Sequence, residues 1–395
     1  MENPFYSSSL KENNYITSKA DYTNGNFERR TPPSDDNVSI SIFNPTIKEG
    51  FRKYVIYTIS GLDLQGTFEA YRRYKDFIRL RTLLVQHWPG CFIPHIPPKK
   101  MLGNLQSNFI EQRRKLLELF LNKIVSISYL YHSQEFHMFI RGPNEYHKTT
   151  SEFRRISLIQ LSQTYLSVFA DSPRVTPEEI ATIDESYNYF KKALYEMELV
   201  FAACLRSLET FAEYEEHLTP LMNGLKDVNS LYVLLGCKEF RVLTREIYTN
   251  PYFMLLDYLK SEIMDLKAII EAIHKKKAYD RITTKAEERL ENERKKLQKI
   301  QQGNKSLAMI ITNKPKDAVV EKLSSDIAEL ENELQAIYSI TRIISSQLFS
   351  HEIPRFKKEK IYRFETVMRT FLSANIQELE SLIAQTQKID NAFNS

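Results

Sequence analysis

Glycine is scarce: ten in 395 residues. A chain with so few cannot be built from many tight turns, so a turn-rich β fold is excluded and long helices are favoured. Cysteine is scarcer still. Cys91, Cys204 and Cys237 are an odd number, widely spaced and without a CxxC pair, which argues against a disulfide framework and a zinc site and points to a reducing cytosolic compartment. No apolar run approaches the ~20 residues that span a bilayer. The N-terminus lacks a charged-then-apolar signal pattern, so any membrane contact is expected to be peripheral. The eight histidines are scattered, and there is no HExxH, GxSxG, P-loop or carboxylate cluster. Nothing reads as catalysis, and no cofactor or metal is expected. A formal net charge of +4 is modest, and the basic pairs lack the surroundings of a nucleic-acid reader.

What is present falls into two styles. Residues 1–36 are rich in Asn, Ser, Tyr and Pro, show no periodicity, and read as a disordered tail. Val38, Ile40 and Ile42 then alternate with polar residues, as on a half-buried strand. A second strand is expected from Phe51 to Ile59. Gly61 and Gly66 mark a turn, and a third strand runs from Thr67 to about Arg72. The period next becomes helical, with Phe77, Leu80, Leu83 and Leu84 on one stripe between Tyr74 and His87. Pro89 stops that helix. Pro94, Pro97 and Pro98 keep Cys91–Lys100 extended and stiff. Further helices are expected near Phe109–Ile124, Gln134–Ile140 and 151–170.

Beyond Thr176-Pro177-Glu178-Glu179, a helix start with a capping box, apolar residues recur at steps of three and four. One series runs from Ile180 through Phe190, Phe201 and Leu208 to Leu225. A second runs from Tyr252 to Ile273, and a third from Val320 to Leu348. A repeat of 3.5 residues is the seam of a coiled coil. Asn250-Pro251 and Asn313-Lys314-Pro315-Lys316-Asp317 separate the series as turns. Pro220 and Pro354 fall inside these helices, where bends are expected, not ends.

Arg72-Arg73-Tyr74-Lys75-Asp76-Phe77 lies at a strand-to-helix junction. It is followed by Pro94-His95-Ile96-Pro97-Pro98-Lys99 and then by Phe109-Ile110-Glu111-Gln112-Arg113. An RRY-x-DF motif, a PxxPxK loop and a helix carrying an Arg, in that order over about residues 37–142, resemble the PX domain. A phosphorylated inositol needs fixed cations, and Arg offers bidentate contacts to phosphate oxygens. The resemblance implies that Arg73 holds the 3-phosphate and Tyr74 packs on the inositol. It further implies that Lys99 meets the 1-phosphate and Arg113 binds ring hydroxyls, with phosphatidylinositol 3-phosphate as ligand. Lys75 stands where the family often has Ser. Met101, Leu102 and Leu105 either insert into the lipid interface beside this site or pack the loop onto the domain.

The region from about 176 to 390 resembles a BAR domain of the sorting nexin type. Asn250-Pro251-Tyr252-Phe253, Asn313-Lys314-Pro315 and Arg355-Phe356-Lys357-Lys358-Glu359-Lys360 carry that likeness. The implied fold class is α+β. A small PX domain at 37–143, with a three-stranded antiparallel sheet and helices, precedes an all-α, three-helix coiled-coil BAR domain at 176–392 that forms a dimer. Residues 151–172 make an amphipathic linker helix that lies in a bilayer interface or packs between the domains. From Lys275 to Lys316 there are 13 Lys or Arg against 5 Asp or Glu, a net of +8; from Pro177 to Asp227 there are 4 against 11, a net of −7. Lys275, Lys276, Lys277, Arg281, Lys285, Lys314 and Lys316 are candidates for a basic membrane face, each worth roughly 1 kcal/mol near anionic lipid. The alternative is a solvated coiled-coil face.

The resemblance implies a cytoplasmic protein, peripheral on endosomal membrane. It would form a homo- or heterodimer with another sorting nexin, sense or induce curvature, and act in tubule-based recycling with cargo or coat complexes. A PX-tethered scaffold that recruits partners without reshaping membrane is the rival reading.

Overall fold

The computed structural model describes residues 38–49, 53–99, 107–146, 156–234, 251–302 and 316–394. The 1–36 tail lies outside them. Three strands come first: β1 (Ser39–Lys48), β2 (Tyr54–Asp63) and β3 (Gly66–Arg73). They form an antiparallel meander in the order β1-β2-β3. The β1–β2 register shifts between Phe43 and Thr46, where Asn44 takes a left-handed φ of 46°. Asn tolerates that conformation, and the shift marks a bulge. The β2–β3 turn is built at Leu64-Gln65, not at Gly61. Asp63 Oδ1 accepts from the Gln65 N–H at 2.8 Å, and Gly66 takes φ 97°. Gly61 sits inside β2, where a Cβ would collide with the Ser39 carbonyl and the Phe68 ring.

Four short helices follow: α1 (Tyr74–His87), α2 (Ser107–Val125), α3 (Ser128–Tyr131) and α4 (Gln134–Arg141). The one-turn α3 is too short to carry a periodic signal and was not expected. Phe77 is fully buried, with the rings of Tyr57, Phe120 and Phe139 at 6.2, 6.5 and 5.0 Å. Helix α5 (Leu158–Val168) starts with a capping box between Ser157 and Gln160. Three long helical stretches complete the chain: α6 (Pro177–Leu234), α7 (Tyr252–Gln301) and a third from α8 (Lys316–Gln347) into α9 (Ile353–Asn394).

Both internal prolines leave their helices continuous. Pro220 lies within α6. Pro354, the second residue of α9, follows a π-turn at Leu348–Glu352. A proline has no N–H to give the preceding turn, and its ring crowds the carbonyl four residues back. A widened turn at that place relieves both problems.

The described residues divide into two compact units. The sheet unit comprises residues 38–191 and 264–356. The helix unit comprises 192–263 and 357–394. The division crosses each long helical stretch. In the sheet unit, α7 and α8 pair through Leu290, Ile327 and Leu334, with Ala286, Leu297, Leu323 and Leu330 packed against them. Helix α5 packs against α8. Its Leu161 and Tyr165 are buried, and the Tyr165 hydroxyl donates to the Pro89 carbonyl at 2.6 Å. The helix unit has its own core of Phe201, Cys204, Leu208, Leu256, Tyr258, Leu259 and Ile263. There Glu262, 1% exposed, accepts from Lys360 at 3.1 Å and Arg363 at 3.2 Å.

Candidate functional site

Strand alternation sorts the two adjacent arginines. In β3, Phe68, Ala70 and Arg72 face the core while Glu69, Tyr71 and Arg73 face out. Arg72 is fully buried, yet every nitrogen has work. Nε donates to the Phe139 carbonyl at 2.8 Å, Nη2 to Gly142 at 2.8 Å, and Nη1 to Pro143 and Tyr71 at 3.0 Å. A cation on the last carbonyls of α4 suits the negative end of that helix. Arg72 therefore ties β3 to α4, and Arg73 alone is presented outward. Its guanidinium carbon lies 3.9 Å from the Tyr54 ring centroid. That distance is a cation–π contact on an outward-facing side chain.

The rest of the motif divides in the same way. The Asp76 carboxylate accepts from the Arg73 N–H at 2.8 Å and caps the first turn of α1, and Phe77 fills the core. Tyr74 sits half-buried at the helix start, and its hydroxyl donates to the Pro97 carbonyl at 2.5 Å. The Arg113 guanidinium carbon lies 4.2 Å from the Tyr74 ring and 4.3 Å from the Phe109 ring, and Nη2 donates to the Pro98 carbonyl at 3.3 Å. Burial pushes the Tyr57 hydroxyl pKa up, with Arg113 opposing the shift. Lys99 is exposed at the end of the proline-rich loop. Tyr74, Arg113 and the loop that carries Lys99 are thus assembled in one place, with Arg73 adjacent to Tyr74 at the strand end. Met101, Leu102 and Leu105 lie outside the described residues.

Beside this site α1 and the loop bound a shallow cleft of about 250 Å³, lined in part by Tyr74, Arg81, His95 and Pro97. Burial, then the neighbouring Arg81 charge, pushes the His95 pKa down. The imidazole is therefore neutral at pH 7. Arg81 Nε donates to the Pro94 carbonyl at 2.9 Å, and its Nη2 pairs with Glu271 of α7. Neither contact announces itself in the sequence, because Glu271 is 190 positions away.

The basic candidates on α7 are dispersed. Lys275 is half-buried. Lys276 is 4% exposed, with its ammonium 2.9 Å from Asp280. Lys277 reaches Asp184 at 2.9 Å and covers the Tyr187 ring at 4.1 Å. Of the Lys275–Lys277 run, Lys276 is therefore buried, and Lys275 and Lys277 are only partly exposed. Arg281 and Lys285 are exposed, and so are Arg289, Lys295, Lys296 and Lys299 further along the same helix. Those four carry the same sequence signal but were not among the candidates. Lys314 lies outside the described residues. Lys316 begins α8, and its side chain is also outside them.

Comparison with known proteins converges on this architecture. The PX domain family model matches residues 62–142. Vacuolar protein sorting-associated protein vps5 of Schizosaccharomyces pombe is 34% identical over 122 residues, covering 28% of this chain and 21% of that protein. Sorting nexin 1 of Arabidopsis thaliana is 27% identical over 183 residues, covering 43% of this chain and 46% of that protein. The cryo-EM structure of the SNX-BAR Mvp1 tetramer superposes with a TM-score of 0.51 at 16% identity, over 87% of this chain and 99% of that one.

Residues 62–142 match the PX domain family, and the chain shares its fold with the SNX-BAR protein Mvp1. The chain spans about a fifth of the length of vps5 and under half of that of sorting nexin 1. Among its described residues, no helix is long and apolar enough to cross a membrane.

Proposed function

We propose that this chain is a sorting nexin of the PX–BAR type, a peripheral membrane protein that reads phosphatidylinositol 3-phosphate through Arg73, Tyr74, Lys99 and Arg113. The observation that carries the reading is the sorting of Arg72 from Arg73. One cation is consumed by carbonyls inside the fold. The next is outward, pre-set on Tyr54, and one residue from the Tyr74–Arg113 stack. An exposed, ordered guanidinium beside an aromatic face suits a phosphorylated sugar, and pre-ordering lowers the entropy that binding costs.

The same reading assigns the helix unit to self-association. Leu372, Ile376, Leu379 and Ile383 of α9 recur at steps of four, three and four, and each is more than half exposed. A second copy of a coiled-coil helix is the partner that such spacing fits. The tetrameric assembly of Mvp1 favours an oligomer here as well. Two headgroup sites on one particle would act at high effective concentration on one membrane. The proposed domain limits are 37–143 for the PX part and 176–392 for the BAR part, with 151–172 between them. The proposed task is endosomal sorting and tubule-based recycling. The lipid-facing basic surface is proposed to centre on Arg281 and Lys285.

The test is liposome co-sedimentation with imaging, with and without phosphatidylinositol 3-phosphate, on wild type, Arg73→Ala and a double Arg281→Glu, Lys285→Glu variant. Loss of lipid selectivity in the first variant and of tubules in the second are the expected results. Binding through Arg73 with liposomes left round would favour the rival scaffold, a reading that the buried Lys276 also favours.

A further inference from the structure

The proline-rich loop has two ends with different attachments. At its C-terminal end, the Pro97 and Pro98 carbonyls accept from Tyr74 and Arg113, the proposed headgroup residues. At its N-terminal end it is held by the long helices and α5. Gly90, at φ 80°, lies so close to Ile344 of α8 that a Cβ there would collide with that side chain. The Pro89 carbonyl accepts from Tyr165, and the Phe92 ring packs 5.9 Å from Phe356. Midway, Arg81 clasps the Pro94 carbonyl with one nitrogen and Glu271 of α7 with another. Pro94, Pro97 and Pro98 fix three φ angles over five residues. A displacement at Pro94 is therefore carried to Pro97 with little slack. All of these residues belong to the sheet unit.

We infer that Glu271, acting through Arg81, is a positioning residue for the headgroup site, so that a helix of the BAR part holds one wall of the lipid pocket in its binding geometry. The inference rests on the lipid reading above. Glu271 anchors the Arg81 guanidinium, and the guanidinium holds the Pro94 carbonyl. The stiff Pro94–Pro98 run then sets where the Pro97 and Pro98 carbonyls meet Tyr74 and Arg113. A neutral amide at 271 weakens the clasp without touching any headgroup residue.

A second salt bridge supplies the control. Lys123 of α2 reaches Asp265 of α7 at 2.6 Å, also joining the PX part to a long helix, and it is not one of the loop contacts described above. The experiment uses the full chain and soluble inositol 1,3-bisphosphate, which removes avidity, with titration calorimetry on wild type, Glu271→Gln and Asp265→Asn. Amide exchange of the peptide over residues 91–99 is measured without ligand in the same three proteins. Glu271→Gln is expected to weaken headgroup binding about fivefold and to speed exchange in the loop. Asp265→Asn is expected to leave affinity within about twofold and loop exchange unchanged, because distant, unshared contacts act independently. Wild-type affinity and exchange in Glu271→Gln would overturn the inference alone. Equal losses in both variants would overturn it in favour of general loosening of the two parts. Absence of binding by wild type would overturn the lipid reading, and this inference with it.

Discussion

Ile340, Ile343, Ile344 and Leu348 of the third helical stretch are fully buried, whereas Leu372, Ile376, Leu379 and Ile383, further along the same stretch, are more than half exposed. The two groups share a residue type and a helical spacing. They differ in what the chain brings to them. In the sheet unit, α5 packs on the helix that carries the first group, and the Gly90 loop closes on Ile344. In the helix unit, Tyr195, Leu199, Tyr214, Leu231 and Phe364 are exposed as well. A seam pattern thus states that a partner is needed, and only the packing states whether the chain supplies that partner itself. In our reading the sheet unit is finished within one chain, and the helix unit is finished by a second copy.

The largest expected effect on that comparison comes from truncating a covered seam residue. Ile344→Ala should cost about 3 kcal/mol of sheet-unit stability, independently of protein concentration, as read by denaturant melts at two concentrations. Leu379→Ala, on the open seam, should cost less than about 0.5 kcal/mol in dilute solution, and should shift the self-association midpoint measured by analytical ultracentrifugation. A concentration-independent loss at Leu379 as large as that at Ile344 would mean that the helix unit is closed within one chain.

The smallest effect concerns pH and belongs to the sheet unit alone. Burial pushes the Asp63 carboxyl up, but hydrogen bonds from Arg141 and the Gln65 N–H outweigh it and hold the pKa below the usual range. A depressed folded-state pKa contributes stability that is complete above the unfolded value, about 4, and is lost as pH falls through the folded value. Asp63→Asn should therefore lower the sheet unit's melting temperature at pH 6, with the gap closing below about pH 4. A gap that persists unchanged at pH 2 would assign the loss to something other than this ionisation.

Much of the candidate site was legible in the sequence. The order of the RRY-x-DF, PxxPxK and FIEQR segments placed Tyr74, Arg113 and the Lys99 loop together, because each motif sits at the end of an element whose period is visible. Period-two alternation also carries the split between Arg72 and Arg73, since a strand that buries Phe68 and Ala70 must bury the residue at 72. The lysine run at 275–277 was the opposite case. Charge on a helix says nothing about facing until neighbouring helices are placed: Lys276 is buried although its partner Asp280 lies one turn along the same helix, and Lys277 turns to Asp184 of α6.

By itself, then, the sequence determined the elements, their order and the need for seams to be covered, because helix and strand periods and proline positions act over a few residues. Only the tertiary structure decided which seam is covered within the chain, which lysines of the 275–277 run are buried, and that Glu271 reaches the Pro94 loop through Arg81. Those outcomes depend on contacts between residues up to 190 positions apart, and no local pattern encodes a contact whose two halves are read separately.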